Sequence, residues 1–170
     1  MNALGPPAGA PGGGVGRDPP DQARLGQLAE EQAALRRVAT LVARGAAPEE
    51  VFAAVAEEVG HLLPVDSASV CRYESDGTLI FVAQRGSVVA QFPVGTRRTL
   101  GGHNLGTLVF ESGRPARVDG YADSSSGAIG AVVRVAGLRS AVGTPILVEG
   151  SLWGAILAGS TMEQDRKSVV

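Results

Sequence analysis

The chain closes on two nearly continuous apolar runs, residues 140–148 and 151–158, separated only by Glu149-Gly150. Runs of this length with glycine in the gap predict a β-hairpin, the glycine supplying positive φ in the turn. Neither run alternates cleanly, which predicts central strands covered on both faces. Pro145 cannot donate to a ladder, so a bulge or a locally unpaired edge is expected there. Near the start the period is different. Leu25, Leu28, Gln32, Leu35, Ala39 and Val42 are alternately three and four apart, the spacing of a helix with an apolar seam. Gly45 offers a C-cap, and Pro48-Glu49-Glu50 restarts a helix with acidic residues in its first turn. Val51, Phe52, Val55, Val59 and Leu62 form its buried stripe, His61 falls in its last turn, and Pro64 stops it.

Between these ends the pattern is shorter in wavelength. Residues 66–73 and 78–85 predict two strands joined at Ser75-Asp76-Gly77, a hairpin signal. Residues 86–102 are looser and hold a further short strand. Asn104 caps a short helix running to Glu111, with Gly113 as a left-handed stop. A short strand follows at 115–119. Residues 121–137 predict one loose helix carrying Ile129, Val132, Val133 and Ala136, behind a capping cluster at 124–126. Gly127 and Gly130 each weaken it by about 1 kcal/mol relative to alanine, making it the most mobile covered element. The order helix, helix, hairpin, short helix, short strand, loose helix, hairpin predicts an α+β fold on an antiparallel sheet. The N-terminal helices cover one face; the short helices and loops lie over a pocket on the other.

Composition narrows the picture. Aromatic residues are only 4% of the chain, so the core must be filled by Val, Leu, Ile and Ala. A net charge of −2 gives no electrostatic case for nucleic acid as a partner. Cys71 is the single cysteine, which excludes an internal disulfide and a cysteine-based zinc site. No paired carboxylates, thiols or metal ligands stand at workable spacing, so no catalytic or metal-ligating residues are assigned. No apolar run reaches the roughly 18 residues of a membrane span, and residues 1–20 lack the pattern of a signal peptide. A cytoplasmic setting is expected. Residues 1–20, rich in Gly, Pro and Ala, are expected to be disordered; 21–46 form a separate N-terminal helix, and 47–164 the domain. Lys167 is the only lysine among 15 basic residues. It lies in DRKSVV, which matches one reading frame of a common sequencing adapter. Residues 165–170 are therefore expected to be artefactual, with the natural chain continuing past Gln164.

Three tracts carry a family likeness: RVATLVARGAAPEEVFAAVAEEVGHLLPVDSASVCRYESDGTLIFVA, ESGRPARVDGY and LRSAVGTPILVEGSLWGAILAGS. In order and spacing they resemble a GAF domain, a small-molecule sensory module, and most of all the GAF domains of actinobacterial-type sensor histidine kinases. The resemblance implies the input module of a two-component kinase, with the kinase domain in cis. It would bind a small molecule or relay conformational change through a homodimer. The dimer helix would use Leu25, Leu28, Leu35 and Val42; packing of that seam on its own domain is the alternative. A ligand would lie against Phe81, Leu105, Leu108, Val109, Tyr121, Ile129, Val132 and Val133. The competing reading is a structural dimerisation module, without ligand, of a phosphatase, cyclase or transcription regulator. Some GAF sensors hold haem through a histidine in the segment matching 119–138, and this segment has none. The Asn-Lys-Phe-Asp-Glu signature of cyclic-nucleotide GAF domains is also missing, as are the several cysteines of the free methionine sulfoxide reductases. His103 reads as a solvated loop histidine and Cys71 as a small buried side chain. GAF domains normally end in a long helix after the last strand. The chain stops near that point, so the sheet face it would cover is expected to keep exposed apolar surface.

Overall fold

The computed structural model describes residues 19–162. The expectations for residues 1–18 and 163–170 lie outside it. Two helices come first, α1 (Pro19–Ala43) and α2 (Pro48–Leu62), then β1 (Ser67–Tyr73), β2 (Thr78–Gly86) and β3 (Arg97–Thr99). α3 (Leu105–Ser112), β4 (Ala116–Asp119), α4 (Tyr121–Ser124) and α5 (Gly127–Ala136) lead into the closing hairpin, β5 (Ser140–Val148) and β6 (Ser151–Ser160). The six strands form one sheet in the order β3-β2-β1-β6-β5-β4, and every pairing is antiparallel. This is the α+β architecture expected, with α2 on one face and α3–α5 on the other.

β1 and β2 show how the two faces are sorted. Cys71 pairs with Phe81 but Val70 pairs with Ala83, so Val82 is an extra residue on β2. An inserted residue reverses the side-chain alternation beyond it. Leu79 and Phe81 therefore enter the core under α3–α5, whereas Val82 and Ala83 turn toward α2. The larger core holds Cys71, Leu79, Phe81, Leu105, Val109, Tyr121, Ile129 and Val133; the smaller, on the α2 side, centres on Ala56, Val70 and Ala83.

Three local expectations are corrected. The 121–137 segment is two helices, because Ser125 is extended (φ −76°, ψ 146°) and Gly127 has φ +80°. Ser125 Oγ donates to the Gly130 carbonyl at 3.2 Å, holding the break closed. Pro145 stays in register opposite Ala155; the ladder shifts instead between Ile146 and Leu147, where Trp153 is the extra residue on β6. β5 is not covered along its whole length. It outruns β4, which pairs only Ser140 to Gly143, and Thr144, Leu147 and Val148 are exposed. In the hairpin turn both Glu149 (φ +50°) and Gly150 (φ +80°) are left-handed, the combination that matches the twist of the flanking strands.

α1 packs on α2 through buried Ala34 and half-buried Val38 and Leu41. A bidentate ion pair fixes the two helices, Arg37 Nε to Glu58 Oε1 at 2.5 Å and Arg37 Nη2 to Glu58 Oε2 at 2.6 Å. Those hydrogen bonds hold the Glu58 carboxyl below the usual carboxylate range. A carboxylate with a lowered native pKa contributes stability above its unfolded value of about 4.3, and the contribution is lost as pH falls through the native value. The protection of the α1 amides against hydrogen exchange, measured relative to the intrinsic rate at each pH, should therefore fall on acidification through that window. Glu58→Gln should show the lower protection already at pH 7, without the acid step; an unchanged acid step would mean another group controls α1.

Candidate functional site

Two features stand apart from ordinary packing: the space between the sheet and α3–α5, and the outer face of α1. The α3–α5 layer is tied together by a short polar network. Asn104 caps α3, its Oδ1 accepting from Thr107 N at 3.0 Å, while its Nδ2 donates to the carbonyls of Gly101 (2.9 Å) and Ser126 (3.2 Å). The two loops meet at glycines, since a Cβ on Gly127 would lie 2.2 Å from the Gly101 carbonyl oxygen. His103 belongs to this junction. Its N–H donates to Ser126 Oγ at 2.8 Å, and its exposed ring puts Nδ1 3.2 Å from the Ser124 carbonyl. Tyr121 Oη accepts from Leu105 N at 2.9 Å, and burial pushes that phenol up to about 12.

Beneath this layer a cavity of about 40 Å³ remains. Five residues expected at a pocket do line it: Phe81, Leu105, Tyr121, Ile129 and Val133. Leu108, Val109 and Val132 do not. Val109 is fully buried one helical turn beyond Leu105, over Gly143, and Leu108 and Val132 pack half-buried against the same core. Sequence reasoning missed Val88 and Phe92, from the stretch read as loose, where the Phe92 ring lies 4.7 Å from that of Phe81. It also missed Ser67 and Ser69, whose alternation with Ala68 and Val70 was the available signal for two polar groups on the inner face. Ser67 Oγ donates to the Gly159 carbonyl at 3.1 Å, and Ser69 Oγ to Gln84 Oε1 at 3.4 Å. Cys71 lies below the layer, wholly buried, with its thiol pushed up to about 12 by desolvation. It carries almost no thiolate at neutral pH and is no nucleophile.

A water needs roughly 10–15 Å³ of such space, so the cavity has room for about three or four, whereas ligand sites run to about 300–1,000 Å³. The larger hollows are open grooves on the α2 side of the sheet. One, of about 630 Å³, runs past Phe52, Val94, Ile146, Val148 and Trp153; the other, of about 410 Å³, runs past Val59, Leu63, Val142 and Ile156. Among the described residues no group of three or more His, Cys, Asp or Glu is placed to hold a metal ion.

On α1 the seam is turned to solvent. Leu25, Leu28, Leu35 and Val42 are 52, 48, 68 and 59% exposed. They lie about a third of a turn around the helix from Ala34, Val38 and Leu41, at 100° per residue. The seam does not pack on its own domain. No described helix is long and apolar enough to cross a membrane.

A curled antiparallel sheet with a helix pair on one face and short helices over the other defines a regulatory domain of the GAF type. The GAF domain profile matches residues 47–167, most of the chain. The chain belongs to the GAF domain family. Among solved structures, it is similar to the A. aeolicus Nlh2 GAF domain in an inactive state (TM-score 0.63, 18% identity, 83% of this chain and 84% of that one). It is also similar to the GAF domain of a phosphoenolpyruvate-protein phosphotransferase from Coxiella burnetii (0.61, 21%, 84% and 83%). A third neighbour is described as the domain of a two-component sensor histidine kinase protein from Sinorhizobium meliloti 1021 (0.52, 21%, 70% and 76%). A comparison with curated protein sequences finds no match. GAF domains are sensory and regulatory modules of signalling proteins, and this chain is one of them.

Proposed function

We propose that this GAF domain is the cytoplasmic, dimeric input module of a two-component signalling protein. It relays conformational change through a homodimer joined along α1 to a kinase domain in the same polypeptide. The observation that carries this reading is the seam of Leu25, Leu28, Leu35 and Val42, exposed on a helix whose adjacent face is already anchored to α2. The likeness to a domain described as part of a sensor histidine kinase protein supports the class of output. A cavity of about 40 Å³ favours relay over small-molecule binding: the residues expected to hold a ligand fill the interior themselves.

Sedimentation equilibrium of the full chain tests the reading, with a dimer as the expected result. Leu28→Asp combined with Leu35→Asp places four charges in the seam of each dimer. It should weaken association at least a hundredfold, on the order of 1.5–3 kcal/mol for each leucine taken from water. The circular dichroism of the folded domain should not change, because neither residue touches its core. A wild-type chain that stays monomeric at millimolar concentration would overturn the reading.

A further inference from the structure

We infer that Asp66 is a clasp: it couples the turn that closes the inner cavity, residues 87–92, to the point where the chain leaves the sheet at Thr161. The inference rests on the relay reading above and gives that relay a route from the interior of the domain to its boundary.

The turn follows β2 and holds to the core through two side chains. Val88 and Phe92 are 2 and 4% exposed and line the cavity, whereas Ser87, Val89 and Ala90 face solvent. The Val88 carbonyl accepts from the amides of Gln91 and Phe92 at 3.0 and 2.9 Å, which ties the two plugs into one unit. A close-packed interior leaves its side chains no second position. Here the cavity of about 40 Å³ lies beside both plugs and gives them, and the turn with them, room to shift.

The near end of the turn is seated on Asp66. Gly86 leaves β2 with φ +90°, and a Cβ there would lie 1.9 Å from the Asp66 carbonyl oxygen. That oxygen accepts from Ser87 N at 3.0 Å, and Asp66 Oδ1 accepts from Ser87 Oγ at 3.4 Å. The other carboxylate oxygen faces the exit from β6. Oδ2 accepts from Thr161 N at 3.0 Å and from Thr161 Oγ1 at 2.5 Å. Asp66 N in turn donates to the Gly159 carbonyl at 3.2 Å, the same group that Ser67 Oγ reaches at 3.1 Å, and both Ser67 and Gly159 line the cavity. One residue thus touches the turn, the cavity wall and the first residue beyond the sheet. The carboxylate is planar, and rotation about its Cβ–Cγ bond carries the two oxygens in opposite directions. A turn that shifts Ser87 therefore draws Oδ2 away from Thr161.

Hydrogen exchange of the full chain, read amide by amide, tests the clasp. Phe92→Leu shortens one plug, and its ring can make no hydrogen bond to Asp66 or Thr161. It should lower protection at the Thr161 amide about fivefold, through local opening. The Thr78 amide, held by Asp76 Oδ1 at 3.1 Å in the turn between β1 and β2, is the control and should not change. Coupling between two places is reciprocal. Thr161→Val, which removes the hydroxyl donor, should therefore lower protection at the Ser87 amide by about the same factor. A Thr161 amide unmoved by Phe92→Leu, or falling only in step with Thr78, would show two independent contacts on one residue. That result overturns the clasp and leaves the dimeric relay standing. Amides that respond in both directions, in a chain that sediments as a monomer, uphold the clasp and overturn the dimeric relay.

Discussion

Asn104→Ala is expected to lower the stability of the domain by about 3 kcal/mol and to loosen the whole α3–α5 layer. The side chain is wholly buried and makes three hydrogen bonds. Losing the cap on α3 costs about 1 kcal/mol. Stranding the Gly101 and Ser126 carbonyls, which lose their amide donor, costs about 1 kcal/mol each. For a domain of this size the sum is a fall in melting temperature of roughly 6–12 °C. Asn104→Ser keeps the cap but lacks the amide group that reaches both carbonyls, so it should recover only about a third of the loss in a thermal melt. Full recovery by serine would show that capping alone accounts for the residue and that the junction with α4 and α5 contributes nothing.

Gly154→Ala is expected to be at least as damaging, for a steric reason. Gly154 lies on β6 opposite Arg72, where the two central strands pair, and a Cβ there would stand 2.1 Å from the Cys71 carbonyl oxygen. That atom is backbone and cannot swing aside. Either the β1–β6 ladder opens or the strands move apart under both cores, at a cost of about 3 kcal/mol or more, a large share of a domain's 5–15 kcal/mol. Gly26→Ala is the control of opposite sign. Gly26 is helical in α1 with nothing within 4 Å of its Cβ position, so alanine should stabilise by up to about 1 kcal/mol. Denaturant melts of the two variants should move in opposite directions; equal midpoints would refute the clash.

Asn104 and Gly154 mark where sequence reasoning reached and where it stopped. The cap at Asn104 was legible, because Asn before an apolar run ending at Gly113 has a local meaning. Its donation to the Ser126 carbonyl was not, since it joins segments more than twenty residues apart. Gly154 carried no local signal. It sits in an apolar run that already read as a strand, and only the approach of β1 forbids a side chain there. Likewise Leu105, Tyr121 and Ile129 were recognisable as inward-facing, but Val88 and Phe92 complete the cavity from a stretch with no period to read. Leu108 and Val132 were expected beside them because helical spacing marks a stripe without locating its centre.

The seam of α1 was legible as periodicity, yet a periodic stripe is the same whether it packs on its own domain or on a second chain. Tertiary structure separated the two by assigning Ala34, Val38 and Leu41 to α2 and leaving the leucines outside. By itself the sequence determined the two helices, the closing hairpin, the cap of α3 and the α+β class, because each is written in contacts between near neighbours along the chain. The strand order, the bulges at Val82 and Trp153, the closing of the interior to about 40 Å³ and the exposure of the seam were decided only in three dimensions. These depend on which distant segments meet, and on how much space their side chains leave between them.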